Sequence, residues 1–99
     1  MTNSQTHSQK NFLITYDIRD PKRLNQVYKT LRGFGTHLQY SVFWCELDDA
    51  ALQELREKLM AIIDTSVDQV LFVPTKDRQQ WNTLGTPLPE VERVAWILF

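Results

Sequence analysis

Ninety-nine residues, of which 42% are apolar, make a chain long enough for one domain with a true core. A single cysteine, Cys45, excludes an internal disulfide and a cysteine-built zinc site. The formal net charge of −1 lacks the surplus of a dedicated nucleic-acid binder, but residues 10–45 hold six basic and two acidic residues, and residues 46–99 five basic and ten acidic.

Residues 1–11 are polar and without the apolar stretch of a secretory signal; they are expected to form a flexible tail. Residues 12–18 then read as a strand, rich in apolar, aromatic and β-branched side chains with little alternation. Asp20-Pro21 is a helix start, Asp20 as N-cap and Pro21 at the first helical position. The helix is expected over residues 21–34, with Leu24, Val27, Tyr28 and Leu31 as its core stripe and Gly33 and Gly35 at its stop.

Residues 36–47 are strand-like throughout, with no Gly, Pro or Asn to announce a turn. One long strand and two short ones bent near residues 39–41 both fit. Asp48 and Asp49 can cap a second helix with Leu52, Leu55, Leu59, Ile62 and Ile63 on its apolar face, ending near residues 64–66. Residues 68–73 form another strand, stopped by Pro74. Residues 75–90 contain Gly85, Pro87 and Pro89 and read as a loop, and residues 91–99 as a last strand. No apolar run approaches the ~20 residues of a membrane span, and a cytoplasmic location is the expectation.

The order strand–helix–strand(s)–helix–strand is the βαββαβ pattern of the ferredoxin-like α+β class, here with an additional C-terminal strand. The expected organisation is a tail over 1–11, a core domain over 12–74, and a loop and strand over 75–99 at a dimer or partner interface. In this architecture two helices cover one face of the sheet. The other, bare face invites a homodimer packed across the sheets.

Asp17 is the residue best placed for chemistry. It ends the first strand where the chain turns into a basic segment. Phosphodiester hydrolysis needs an activated water and neutralised charge, and Mg²⁺ or Mn²⁺ supplies both while asking for only one or two carboxylates. A two-fold dimer would supply the second copy. The alternative is a strand-end acid bonding turn amides, as Asp commonly does. Arg19, Lys22 and Arg23 are candidate phosphate contacts beside it, at a helix N-terminus that itself favours anions, and Lys29 and Arg32 would extend that track.

Tyr16-Asp17-Ile18, Lys22-Arg23-Leu24, Gly33-Phe34-Gly35 and Gln39-Tyr40-Ser41-Val42-Phe43, in this order and spacing, closely resemble the CRISPR-associated protein 2 family. The likeness spans about residues 12–74. It implies a ferredoxin-like homodimer in which the two copies of Asp17 bind a divalent metal, with hydrolysis of single-stranded RNA or double-stranded DNA. It also implies a place in spacer acquisition beside the CRISPR-associated protein 1 integrase. The family positions matching Ser41 and Phe43 lie near the aspartate, which makes both candidate nucleic-acid contacts, although by residue type Phe43 reads first as core or interface and Ser41 as a plain sheet hydroxyl. His37 stands where family members often carry arginine, which thins the positive surface.

Three functions stay open: a metal-dependent nuclease, a non-catalytic DNA-binding adaptor of the integrase, and a toxin-type RNA interferase. His7 and His37 have no partner at ligand spacing. Cys45 reads as a small buried residue, and Trp81 and Trp96 as packing at the C-terminal strand or a subunit contact.

Overall fold

The computed structural model describes residues 8–90, so the expected last strand and Trp96 lie outside the described residues. The elements in chain order are β1 (Lys10–Asp17), α1 (Pro21–Arg32), β2 (Thr36–Gln39), β3 (Val42–Leu47), α2 (Asp49–Ile62) and β4 (Gln69–Thr75), followed by a short 3₁₀ turn, Arg78–Gln80. The strands form one antiparallel sheet in the order β2-β3-β1-β4. This is the ferredoxin-like α+β arrangement expected from the sequence, with β1 and β3 in the centre.

β1 alternates strictly, contrary to the sequence reading. Phe12, Ile14, Tyr16 and, just beyond the strand, Ile18 are buried, whereas Leu13 and Thr15 are half-buried and Asp17 is exposed. The alternation is veiled because the outward positions Leu13 and Thr15 are themselves apolar or β-branched. The strand begins at Lys10, inside the segment read as a tail.

The inward row packs with Phe43, Cys45 and Leu47 of β3 and with Val27, Leu31, Leu55 and Leu59 of the two helices. Phe43, Ile14, Leu31 and Leu55 are fully buried. Each contributes about 1.5–3 kcal/mol by leaving water.

The helices start as their sequences dictate. Asp20 accepts a hydrogen bond from the Arg23 N–H at 3.0 Å, and Asp48 one from the Ala51 N–H at 2.8 Å. Each satisfies an amide of the first turn that has no partner within the helix. α1 ends at Arg32, two residues short of expectation, with Gly33 as C-cap in ordinary helical geometry. The demand for glycine lies at Gly35, where a Cβ would run into Cys45 Sγ and the Trp44 carbonyl. There the connection into β2 comes so close to β3 that no side chain fits.

The segment 36–47 is a hairpin with a two-residue turn, Tyr40-Ser41. Ser41 takes the turn at φ 63°, the left-handed region that glycine fills more easily. No glycine marks the bend because serine accepts the strain. The register also shifts between His37 and Gln39.

Pro74 does not stop β4; it lies within it, opposite Phe12. β4 is an edge strand among the described residues, and an edge strand tolerates a residue without an N–H.

On the face away from the helices, Leu71 and Val73 are exposed and Trp44 is covered. The cover is the segment after β4. Trp81 meets the Trp44 ring edge-on with centroids 6.4 Å apart, and the Arg78 guanidinium sits 5.2 Å from the Trp44 centroid. Trp81 therefore packs on the sheet.

Candidate functional site

Asp17 is the last residue of β1, exposed, on the sheet face opposite the helices. Its register partner on β4 is Gln69. The tip of the β2–β3 hairpin is pinned beside it, because the Tyr16 N–H donates to the Ser41 carbonyl at 3.2 Å. Arg19 and Lys22 follow in the β1–α1 turn and the first turn of α1, both exposed.

Arg23 is placed differently. Its Nε donates to Asp68 Oδ2 at 2.7 Å and its Nη2 to Asp68 Oδ1 at 3.2 Å. The Asp68 side chain is fully buried, and its two oxygens also accept the Arg19 N–H and the Asp64 N–H, each at 2.9 Å. This two-pronged bond to Arg23, reinforced by the backbone donors, holds the Asp68 carboxyl well below the usual carboxylate range. The same partner raises the Arg23 guanidinium further above its ordinary value. Arg23 thus joins the turn after Asp17 to the connection between α2 and β4, with both prongs of its guanidinium on a protein carboxylate.

Ser41 and Phe43 do not share a strand face as an unbroken strand would require. Ser41 is in the turn, and Phe43 is fully buried. Phe43 is a floor for other rings: His37 lies 4.9 Å away between centroids, Tyr28 5.7 Å and Tyr16 6.2 Å. Tyr28 and His37 meet edge-to-face at 5.1 Å, and Arg32 Nη1 donates to the Tyr28 hydroxyl at 3.1 Å. Burial pushes the Tyr16 phenol above its usual value, neighbouring Tyr28 and Tyr40 push it further, and a hydrogen bond with the Ser41 side chain opposes them. Burial likewise pushes the Cys45 thiol up to about 12, so it is no nucleophile near neutral pH.

The sequence reading missed Asp68 and the Tyr28–His37–Tyr40 cluster. Asp68 bonds a residue 45 positions away, and no local spacing announces such a pair. The one available signal was an acid after the second helix facing a basic surplus at the start of the first. The aromatic cluster depends on the hairpin, which folds His37 and Tyr40 back towards α1.

Among the described residues, no three His, Cys, Asp or Glu side chains gather into a metal site, and no helix is long and apolar enough to cross a membrane. Asp17 offers one exposed carboxylate per chain, the hard oxygen donor that Mg²⁺ or Mn²⁺ prefers.

Comparison with known proteins agrees with this arrangement. The family model for CRISPR associated protein Cas2 matches residues 10–83. The CRISPR-associated endoribonuclease Cas2 2 of Thermodesulfovibrio yellowstonii is 39% identical over 74 residues, 75% of this chain and 81% of that protein. The CRISPR-associated endoribonuclease Cas2 1 of Rhodospirillum rubrum is 34% identical across 99% of this chain and its own full length. The crystal structure of Streptococcus pyogenes Cas2 at pH 6.5 superposes with a TM-score of 0.69 at 33% identity, covering 76% of this chain and 99% of that one. With the family model covering β1 through the 3₁₀ turn and the fold matching a solved member, the chain belongs to the CRISPR-associated Cas2 family.

Proposed function

We propose that this protein is a metal-dependent endonuclease of CRISPR adaptation, acting on RNA or DNA as a homodimer in the cytoplasm and working beside the CRISPR-associated protein 1 integrase in spacer acquisition. The observation that carries the reading is Asp17, an exposed carboxylate at the end of a central strand, on a sheet face that also exposes Leu71 and Val73. The endoribonuclease names of the two relatives support the hydrolytic part.

In this reading the open faces of two copies pack together, which buries Leu71 and Val73 and brings both copies of Asp17 to one site. The two carboxylates would hold Mg²⁺ or Mn²⁺, which when bound supplies charge neutralisation and an acidified water. The chain's own residues do the positioning. Arg19 and Lys22 bind the flanking phosphates as exposed cations at the start of α1. Ser41, beside Tyr16, offers a hydroxyl to the same end of the sheet. Arg23 acts one step back: it keeps the turn that carries Asp17 and Arg19 in place by its bond to Asp68.

The test is cleavage of single-stranded RNA and of duplex DNA by the purified full chain, with Mg²⁺, with Mn²⁺ and with a chelator. Asp17→Ala should lose at least about 100-fold in rate, because a metal-ion contribution of several kcal/mol is removed. Its melting temperature should be unchanged, since the side chain is exposed. Full metal-dependent cleavage by Asp17→Ala would sink the assignment.

One observation favours the adaptor reading: Arg23, among the three basic residues nearest Asp17 in sequence, is bonded to Asp68 and leaves a thinner positive surface. Cells carrying Asp17→Ala that still acquire spacers would select that role for the protein in adaptation.

A further inference from the structure

Beside Asp17, on the helix side of the sheet, a cleft of about 390 Å³ opens between α1 and the β2–β3 hairpin. Its walls include Tyr16, Tyr28, His37 and Tyr40, with Asn25 and Ser41 as further polar lining. Its volume is within the usual range for small-molecule sites, and its makeup is that of such a site: aromatic walls with a few convergent polar groups. Tyr40 is 84% exposed, and it stands at the tip of a turn whose other residue, Ser41, holds a left-handed backbone. A large aromatic ring held out to solvent on a strained turn is poor packing and a good lip for a ligand.

The charge around the cleft narrows the ligand. Residues 21–45 supply every wall residue named above except Tyr16, and they hold four basic residues, of which Arg23 is bonded to Asp68, and no acid; Asp17 and Asp20 are the acids next to the lining in sequence. Lys22 and Lys29 lie three residues before and four residues after Asn25, on its side of α1, and both are exposed. An aromatic slot edged by lysines suits a flat ring joined to anions. Its occupant must also be free of a partner strand, because a paired base within a duplex cannot present its face to the Tyr40 ring.

We propose that this cleft is a nucleobase subsite, in which one unpaired base of a single-stranded nucleic acid stacks on Tyr40 with its edge towards Asn25 and His37. The phosphates on either side of that base lie along Lys22 and Lys29. The subsite rests on the nucleic-acid reading of Asp17 and adds to it a place where one base is held, at the tip of the β2–β3 hairpin. Tyr16 and Asp17 are consecutive on β1 and point to opposite faces, so a base held on the Tyr16 side leaves its strand at the sheet end where Asp17 is exposed. Phe43 supports the cleft from beneath without lining it, which is the part left to a residue the family likeness offered as a direct contact.

The test is fluorescence anisotropy with the full chain and labelled probes in metal-free buffer: oligothymidylate, oligouridylate, an abasic strand of equal length and charge, and a duplex. The native protein should bind the base-bearing strands more tightly than the abasic one. Tyr40→Ala should weaken that binding on the order of 10- to 100-fold, as loss of one stacked base does, while abasic and duplex binding stay unchanged. Tyr40→Phe should restore it. The salt dependence should be unaltered, because no phosphate contact is lost. Equal tightness for oligothymidylate and oligouridylate means that neither the 5-methyl group nor the 2′-hydroxyl is read, and a gap between them adds a contact to one of these two groups; both support the subsite.

Tyr40 is exposed, so its replacement does not threaten the fold, and circular dichroism checks this. Native protein that binds base-bearing strands, with Tyr40→Ala binding them as well, overturns the subsite and leaves the Asp17 reading standing. Native protein that binds no strand, and cleaves none when metal is added, overturns both. An Asp17→Ala protein that keeps the base preference but loses cleavage separates the two sites.

Discussion

The β1–α1 turn and the β2–β3 turn meet at one end of the sheet, on either side of Tyr16, and they are held in opposite ways. The first is fastened from outside: buried Asp68 accepts the Arg19 N–H and both prongs of Arg23, and Asp20 caps the helix that follows. The second is held through Ser41 alone, by a backbone bond from Tyr16 and a side-chain bond to the Tyr16 phenol; it contains a residue at φ 63° and leaves Tyr40 in solvent. In the proposed function the fastened turn follows the carboxylate that must keep a fixed geometry towards a metal and a phosphate. In the proposed subsite the lightly held turn carries a ring that has only to receive a flat partner. Rigidity is concentrated where distance tolerance is smallest.

The contrast breaks most decisively at Asp68. Asp68→Ala leaves the Arg23 guanidinium and two turn amides without their acceptor, and the melting temperature should fall by roughly 10 °C or more. A fall of under about 3 °C by calorimetry would mean the turn is not held by this carboxylate.

A smaller effect is expected from acid. The Asp68 carboxyl titrates lower in the folded protein than in the unfolded chain, so its contribution is present in full above about pH 4. It is lost progressively as pH falls below that, while the unfolded chain takes up the proton first. Urea melts of native and Asp68→Asn protein should therefore differ at pH 6 and converge towards pH 2; a constant gap would remove the ion pair as the cause.

The smallest effect lies in the other turn. Ser41→Gly relieves the left-handed strain but loosens the unfolded chain, and stability should rise by about 1 kcal/mol or less. Chemical denaturation reads this directly. A clear loss instead would show that the Ser41 side chain holds the hairpin more strongly than its backbone strains it.

Much of the frame was legible in the sequence because its signals are local. Asp20-Pro21 and Asp48 mark helix starts through bonds spanning three residues, and the stripes of α1 and α2 repeat at helical spacing. Asp17 was legible as the acid ending an apolar strand. The bend at Tyr40-Ser41 was legible only as one of two alternatives, because serine occupies a position where glycine would have announced it. Arg23 read as a phosphate contact because its sequence neighbours are basic; its acid partner arrives only when β4 pairs with β1. Phe43 reads from its own residue type as core, which its burial bears out; only the family likeness offers it as a contact, and whether a strand residue faces helices or solvent depends on which face the helices cover.

By itself the sequence determined the order and type of the elements apart from the choice between one strand and two over residues 36–47, their caps, the basic first half and the acid at the end of β1. Those properties follow from the identities of residues a few positions apart. Only the tertiary structure decided that Arg23 is bonded to Asp68, that Gly35 is required by the approach of the connection into β2 to β3, and that Tyr28, His37 and Tyr40 share a cleft. Each depends on contacts between segments that are distant in the chain. Strand pairing and helix packing bring these segments together, and nothing in local spacing encodes which side chain meets which.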